Sequence, residues 1–441
     1  LKKLASLFLF VGFMTGWVNA QTGFRFKNGE SEETIRFQLI NNLIVFPLKV
    51  NNVELSFILD TGVGSPILFN IYQSDSLQIR NVEEITLKGL GEGEPIRAFK
   101  SSKNTFATQK TYNSSQDFYV VIDAAINFSP RLGVPVHGII GYDFFKDLIV
   151  EVNYASEKIK LYKPDGYNYR KCAKCNTLDI EVVRRKPFLN AAVVLEGNQI
   201  PVRLLVDSGS SDALWLFPDK EKGIKVPAKN FQDFLGRGLS GSVYGHKAKT
   251  DMFRIGDFKL RETNVAFPSD ESIQHLTNPG QRNGSVGGEI LKRFNVIFDY
   301  PEKKITLKKN RYFNTDFKFN LSGIELMHNG LRVVRQPERS YSGVVREDDP
   351  TGAIKILLDD STRFKLHPSI EIAEIRPGSL AEEIGLQVGD VIISVNGKEI
   401  YDHSLQEISG LLNERVGKRV RVIVDRNGIE LKFSFELKDV L

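Results

Sequence analysis

Two carboxylates have surroundings that could do chemistry together. Asp60 closes the apolar run Phe57, Ile58, Leu59, and Asp207 closes Leu204, Leu205, Val206. Each is followed by a hydroxyl residue and a glycine: Thr61 and Gly62 after the first, Ser208 and Gly209 after the second. One such triplet reads as a capped turn. Two in matched surroundings read as halves of one site. Carboxyl groups held close together cannot both ionise easily, so they share a proton. One can then activate water as a base while the other protonates a carbonyl oxygen and later the leaving nitrogen. Their titration would belong to the pair and not to either residue singly. That chemistry is amide hydrolysis, with no metal and no cofactor required. The glycines let the chain turn sharply and leave room beside the carboxylates.

The elements needed to position these groups also occur twice. Upstream of Asp60 lies a hairpin pattern turning at Asn51 and Asn52; upstream of Asp207 lies another, turning near Gly197 and Asn198. Glycine pairs follow at the same offset from each Asp: Gly89 and Gly91, then Gly236 and Gly238. Further on, Ile139-Ile140-Gly141 and Ser285-Val286-Gly287 each precede a helix-like turn, a strand, a Tyr-bearing turn and a last strand. Matched features in the same order describe a duplicated, mainly β unit, over 34–165 and 177–312, joined by a polar linker at 166–176.

These residues resemble the aspartic proteases, retropepsin-like in lobe size and pepsin-like in being fused in one chain. The resemblance covers nearly all of both lobes. It implies two acid-protease β-barrel lobes, Asp60 and Asp207 as the catalytic pair, and an endopeptidase acting on peptide or protein substrates. It also implies that the Thr61 and Ser208 hydroxyls bond across a pseudo-two-fold axis, and that the glycine hairpins act as flaps over the substrate. Two positions depart from the family pattern: Gly64 stands where Ser or Ala-Asp is usual, and the element at Ser285 begins with a polar residue. Tyr244 is a candidate for a flap tyrosine. A decayed protease that binds peptides without cutting them is the alternative reading.

From 313 the pattern changes. Residues 370–400 resemble a PDZ domain (α+β): Pro377-Gly378 turns the chain, Gly385 ends a short helix, and a strand leads into Asn396-Gly397. A 3.6-residue apolar stripe follows at Leu405, Ile408, Leu411 and Leu412. PDZ domains bind an extended C-terminus by strand addition. The resemblance implies a carboxylate loop at Ser322, Gly323 and Ile324, receiving a substrate tail, a partner's C-terminus or the chain's own tail. Residues 336–368 read as a polar, turn-rich insertion with a hairpin in it.

The 441-residue chain carries a net charge of +5 spread along its length. It has no zinc-finger spacing and no basic region with interleaved aromatics, which excludes nucleic acid as the expected partner. Lys2 and Lys3 precede an apolar run too short to span a bilayer, ending in small residues before Gln21. Residues 1–20 therefore read as a signal peptide, implying an exported protein, periplasmic or secreted, with no stable membrane span after cleavage. The two cysteines, Cys172 and Cys175, are expected to form a local disulfide; a zinc site would need two further ligands. His137 and His246 are expected to be structural or solvent-facing.

Overall fold

The computed structural model describes residues 23–69, 77–87, 95–122, 126–169, 171–238, 241–273, 282–346 and 354–441. The leader read at 1–20 and the glycines Gly89 and Gly91 lie outside the described residues. The chain is mainly β, and among the described residues no helix is long and apolar enough to cross a membrane.

Hairpins organise the first two-thirds of the chain. Leu43–Val50 pairs with Val53–Leu59 across a tight turn in which Asn51 and Asn52 both have positive φ. Asparagine tolerates that conformation, so the turn follows from the sequence. Lys186–Leu195 pairs with Asn198–Val206 in the same way. The strand ending in Leu59 runs parallel to Gly138–Ile140, which is antiparallel to Ile67–Leu68; that short strand is in turn parallel to Thr111–Val121. In the second half, Asn198–Val206 is parallel to Gly284–Val286, which is antiparallel to Leu214–Leu216, itself parallel to Asn264–Pro268. The same pairings thus occur twice, in a nine-stranded and a ten-stranded sheet.

A third sheet ties the halves together. Its six strands are ordered Cys175–Asp179, Lys304–Lys309, Phe294–Asp299, Ile149–Asn153, Lys158–Tyr162 and Glu32–Arg36. The central pair joins the halves directly, Val150 opposite Phe298 and Val152 opposite Val296. Their inward side chains are fully buried, and one apolar cluster runs from Phe24 through both halves to Phe317. The segment read as a linker to 176 becomes strand at Cys175, because that strand closes the edge of this sheet. The disulfide between Cys172 and Cys175 lies at its entry.

The C-terminal domain has its own core, which includes Ile324, Ile372, Ile392, Ile408, Leu412, Val422 and Leu437. Its helix Leu405–Leu412 starts with a reciprocal cap: Ser404 accepts from the Glu407 amide while the Glu407 carboxylate takes the Ser404 amide. The hairpin read within 336–368 extends well beyond those bounds, and strand replaces the expected turns. Ile324–Arg346 and Ile354–Ile375 form one long hairpin that continues the domain's own first strands, interrupted among the described residues by register shifts. Its stem is not uniformly polar: Leu331, Val333, Phe364 and Leu366 are exposed, Val333 directly opposite Leu366.

This domain packs on both halves. Arg131, in the short helix Ser129–Leu132, pairs with Glu374 at 2.9 Å, and Gln406 donates to the Leu132 carbonyl. On the other half, Phe231 meets Phe319 edge-on, and the Arg376 guanidinium lies 4.9 Å above the Phe231 ring.

Candidate active site

The two Asp-bearing loops meet where the halves meet. Each Asp sits at the end of a central strand whose neighbour holds its amide: Asp60 N–H donates to Ile140 and Asp207 N–H to Val286, both at 2.9 Å. Beyond them the loops cross over. The Thr61 hydroxyl donates to the Val206 carbonyl at 2.7 Å and accepts from the Ser208 amide at 3.0 Å. The Ser208 hydroxyl donates to the Leu59 carbonyl at 2.8 Å and accepts from the Thr61 amide at 3.0 Å. Both side chains are buried, so all four bonds are shielded from water. The cross-axis role expected of these hydroxyls is the geometry observed.

That grip brings the carboxyls together. The Gly62 amide donates to Asp60 Oδ1 at 2.7 Å, and the Gly209 amide to Asp207 Oδ1 at 3.2 Å. Each glycine also faces the opposite carboxyl. A Cβ on Gly209 would lie 2.2 Å from Asp60 Oδ2, and one on Gly62 would lie 2.9 Å from Asp207 Oδ1. Glycine is required by close approach at these two points. Burial first, and then the charge of the neighbouring Asp207, push the Asp60 carboxyl well above the usual carboxylate range. The pair therefore holds a proton under conditions in which isolated carboxylates have lost theirs.

The carboxyls open into a cavity of about 800 Å³. Its walls include Ile58, Ile139, Leu205 and Ser285 beside the pair, Arg131 and Leu132 from the first half, and Glu325 and Leu326 from the C-terminal domain. Its lining also includes the hairpin Asn230–Gly238 with Gly241–Lys249, through Phe234, Leu235, Gly236, Arg237, Gly238 and Val243. Gly236, at a positive φ, follows a register shift that bends this hairpin. The glycines Gly236 and Gly238, expected in the second flap, thus line the cavity. Tyr244 stacks edge-on with Phe234 and is partly exposed.

Gly64 has a local explanation. A Cβ there would lie 3.3 Å from the Arg185 Cβ, and Arg185 reaches Ser65 Oγ at 3.1 Å. Arg185 belongs to the turn Arg184-Arg185 of the second half, so a small residue at 64 lets that turn pack across the axis. The mirror contact is Asn42 in the first half, donating to the Ser211 carbonyl at 2.7 Å. Neither Arg185 nor its role was legible from one sequence, because the contact crosses between the halves. The two histidines have local roles: His137 Nδ1 accepts from the Ser56 amide, and His246 bonds Asn230 at the surface.

The loop expected to receive a terminal carboxylate is already filled. The Leu321 and Ser322 amides donate to Asn413 Oδ1 at 2.7 and 3.2 Å, the Gly323 amide to Asn320 Oδ1, and the Ile324 amide to the Ser322 hydroxyl. The expected picture of free N–H groups facing a ligand is corrected: Asn413, at the end of helix Leu405–Leu412, supplies the acceptor that a peptide carboxylate would otherwise provide.

A search of curated proteins returns no match to the chain. The family model for the PDZ domain matches residues 371–426. The chain therefore carries a PDZ domain at its C-terminal end, a module suited to docking a peptide or a partner.

Proposed function

We propose that this chain is an aspartic endopeptidase, built from two fused lobes of the acid-protease type, with its PDZ domain packed against the cleft. The observation that carries the reading is the crossed pair of loops: two buried hydroxyls hold two carboxyls face to face at the floor of a cavity. In this reading Asp60 and Asp207 share one proton. The ionised member takes a proton from water as that water attacks the scissile carbonyl carbon, and the protonated member donates to the carbonyl oxygen. The tetrahedral intermediate then collapses as a carboxyl passes its proton to the leaving nitrogen. Gly62 and Gly209 keep the attacking side open, and the hairpin bearing Gly236 lies over an extended substrate. The PDZ domain docks a substrate segment or a partner beside the cleft. The leader-like 1–20 and the disulfide support export to a periplasm or the exterior.

The test is Asp207→Asn. Wild type is expected to cleave an unfolded protein at about pH 4–6 and to be blocked by a statine-type peptide, while the variant is inert. Equal behaviour of the two proteins, with peptide binding retained, would instead favour a non-catalytic peptide-binding scaffold.

A further inference from the structure

The repeated pairings let each cleft position in one half be matched to its counterpart in the other. Phe46 pairs with Phe57, and Leu189 with Leu204, so Leu43 in the first hairpin corresponds to Lys186 in the second. His137 donates its amide to Ser56 and Asn283 donates to Arg203, so Val136 corresponds to Arg282. Ile139 lies opposite Ile58 and Ser285 opposite Leu205, so those two also correspond. On the first half the set is Leu43, Val136 and Ile139, part of an apolar cluster that continues to Ile67 and Leu132. On the second half it is Lys186, Arg282 and Ser285, and all three line the cavity with Asp207. The fold is symmetric about the carboxyl pair; the chemistry of the two walls is not.

Both cations are partly buried, and among the described residues neither has an acid within ion-pair distance. Arg203, nearby, is satisfied by Glu181 at 2.7 Å. Arg282 Nε donates to the Gly284 carbonyl, and its guanidinium lies over the Phe217 ring. Arg282, Asp207 and Asp60 act electrostatically on Lys186, and Asp207 acts on Arg282; all four residues line the one cavity. Two cations against a carboxyl pair holding one negative charge leave one positive charge unmatched in a half-buried wall. Partly desolvated cations without partners are costly, and a bound anion relieves that cost.

We infer that the cleft selects substrates with an acidic side chain in the subsite walled by Lys186, Arg282 and Ser285, and an apolar side chain in the mirror subsite walled by Leu43 and Ile139. The guanidinium presents two donors in a plane that matches a carboxylate, and Lys186 adds a point charge. The polar residue at Ser285, which departs from the apolar pattern, falls inside this subsite. This inference rests on the peptidase reading for its substrate class, but binding alone can test it.

The experiment uses the full chain and peptide pairs identical except for Glu or Gln at each position flanking one bond, at about pH 6, where a free Glu is ionised. Cleavage is followed for the peptides, and Kd for analogues in which a reduced amide replaces the bond. The expected result is a preference for Glu of about tenfold or more at one flanking position only. Two variants replace the cations by their mirror residues, Lys186→Leu and Arg282→Val; the double variant should lose that preference while still binding the Gln peptide. Cleavage with no Glu preference sinks the inference and leaves the peptidase reading standing. No cleavage, with Glu analogues still bound more tightly by wild type than by the double variant, sinks the peptidase reading and leaves the subsite standing. Absence of both cleavage and selective binding overturns the inference.

Discussion

Replacing Thr61 by Val keeps the shape of the side chain and deletes the hydroxyl. The wild-type oxygen serves two buried backbone groups, the Val206 carbonyl and the Ser208 amide, both on the opposite loop. Valine leaves both without a partner where water cannot replace the hydroxyl. A buried group left unsatisfied costs about 1–3 kcal/mol, so the two together should cost about 2–6 kcal/mol. The reciprocal bonds from Ser208 remain, so the loops should loosen without separating. Urea unfolding followed by the fluorescence of Trp215, which is buried in the cavity wall, reads the stability change. Peptidase activity should fall with it by about a hundredfold, because displacing a carboxyl by an ångström breaks the shared-proton geometry. Thr61→Ser retains the hydroxyl and should stay close to wild type in both assays. A Thr61→Val variant within about 0.5 kcal/mol of wild type and fully active would refute the argument that the crossed hydroxyls hold the pair together.

Gly209→Ala puts a methyl against the Asp60 carboxyl; peptidase activity is expected to drop at least about a hundredfold in a protein destabilised by about 1–3 kcal/mol, checked by turnover and thermal melting. Glu289 is pushed up to about 7 by burial, only partly opposed by Lys292 and Arg293. Between its unfolded value near 4.5 and about 7 the folded state binds the extra proton, so stability should fall as pH rises through that window. Glu289→Gln should flatten that slope, by ~3 kcal/mol at most, in melts taken across the same range. In the PDZ domain, Asn413→Ala frees the Leu321 and Ser322 amides; calorimetry should then detect tighter binding of a peptide with a free C-terminal carboxylate than wild type gives, and unchanged binding would mean the loop is closed for another reason.

Much of the scaffold around the carboxyls was legible because it is local. Asn-rich turns, apolar strands and the Asp-hydroxyl-Gly triplets are written in consecutive residues, and their repetition fixes which positions belong together. The PDZ domain was legible for the same reason, its turns and helix stripe lying in one continuous segment. What stayed hidden depends on contacts between segments far apart in the chain. Gly64 reads as an anomaly until the turn at Arg185 is seen packed on it. Nothing near Ser322 announces that Asn413, at the far end of a helix, fills its loop. Polar residues around 336–368 suggested turns, yet strand pairing continues through that region, because a two-stranded ribbon can expose both faces and needs no apolar alternation. Lys186 and Arg282 become conspicuous only when laid over Leu43 and Val136.

The sheet shared by the two halves has a mechanical meaning. Each half contributes its last two strands to it, and the edge strands Glu32–Arg36 and Cys175–Asp179 close its ends. Five consecutive residue pairs, from Ile149 with Asp299 to Asn153 with Asn295, stitch one half to the other. A plate of this kind resists bending in a way that a single peptide tether does not. The two Asp-bearing loops are then carried on one continuous floor of paired strands. Severing the backbone in the polar stretch between Tyr162 and Cys175 should accordingly leave two fragments that stay associated, since what joins them is a continuous ladder and not the cut segment.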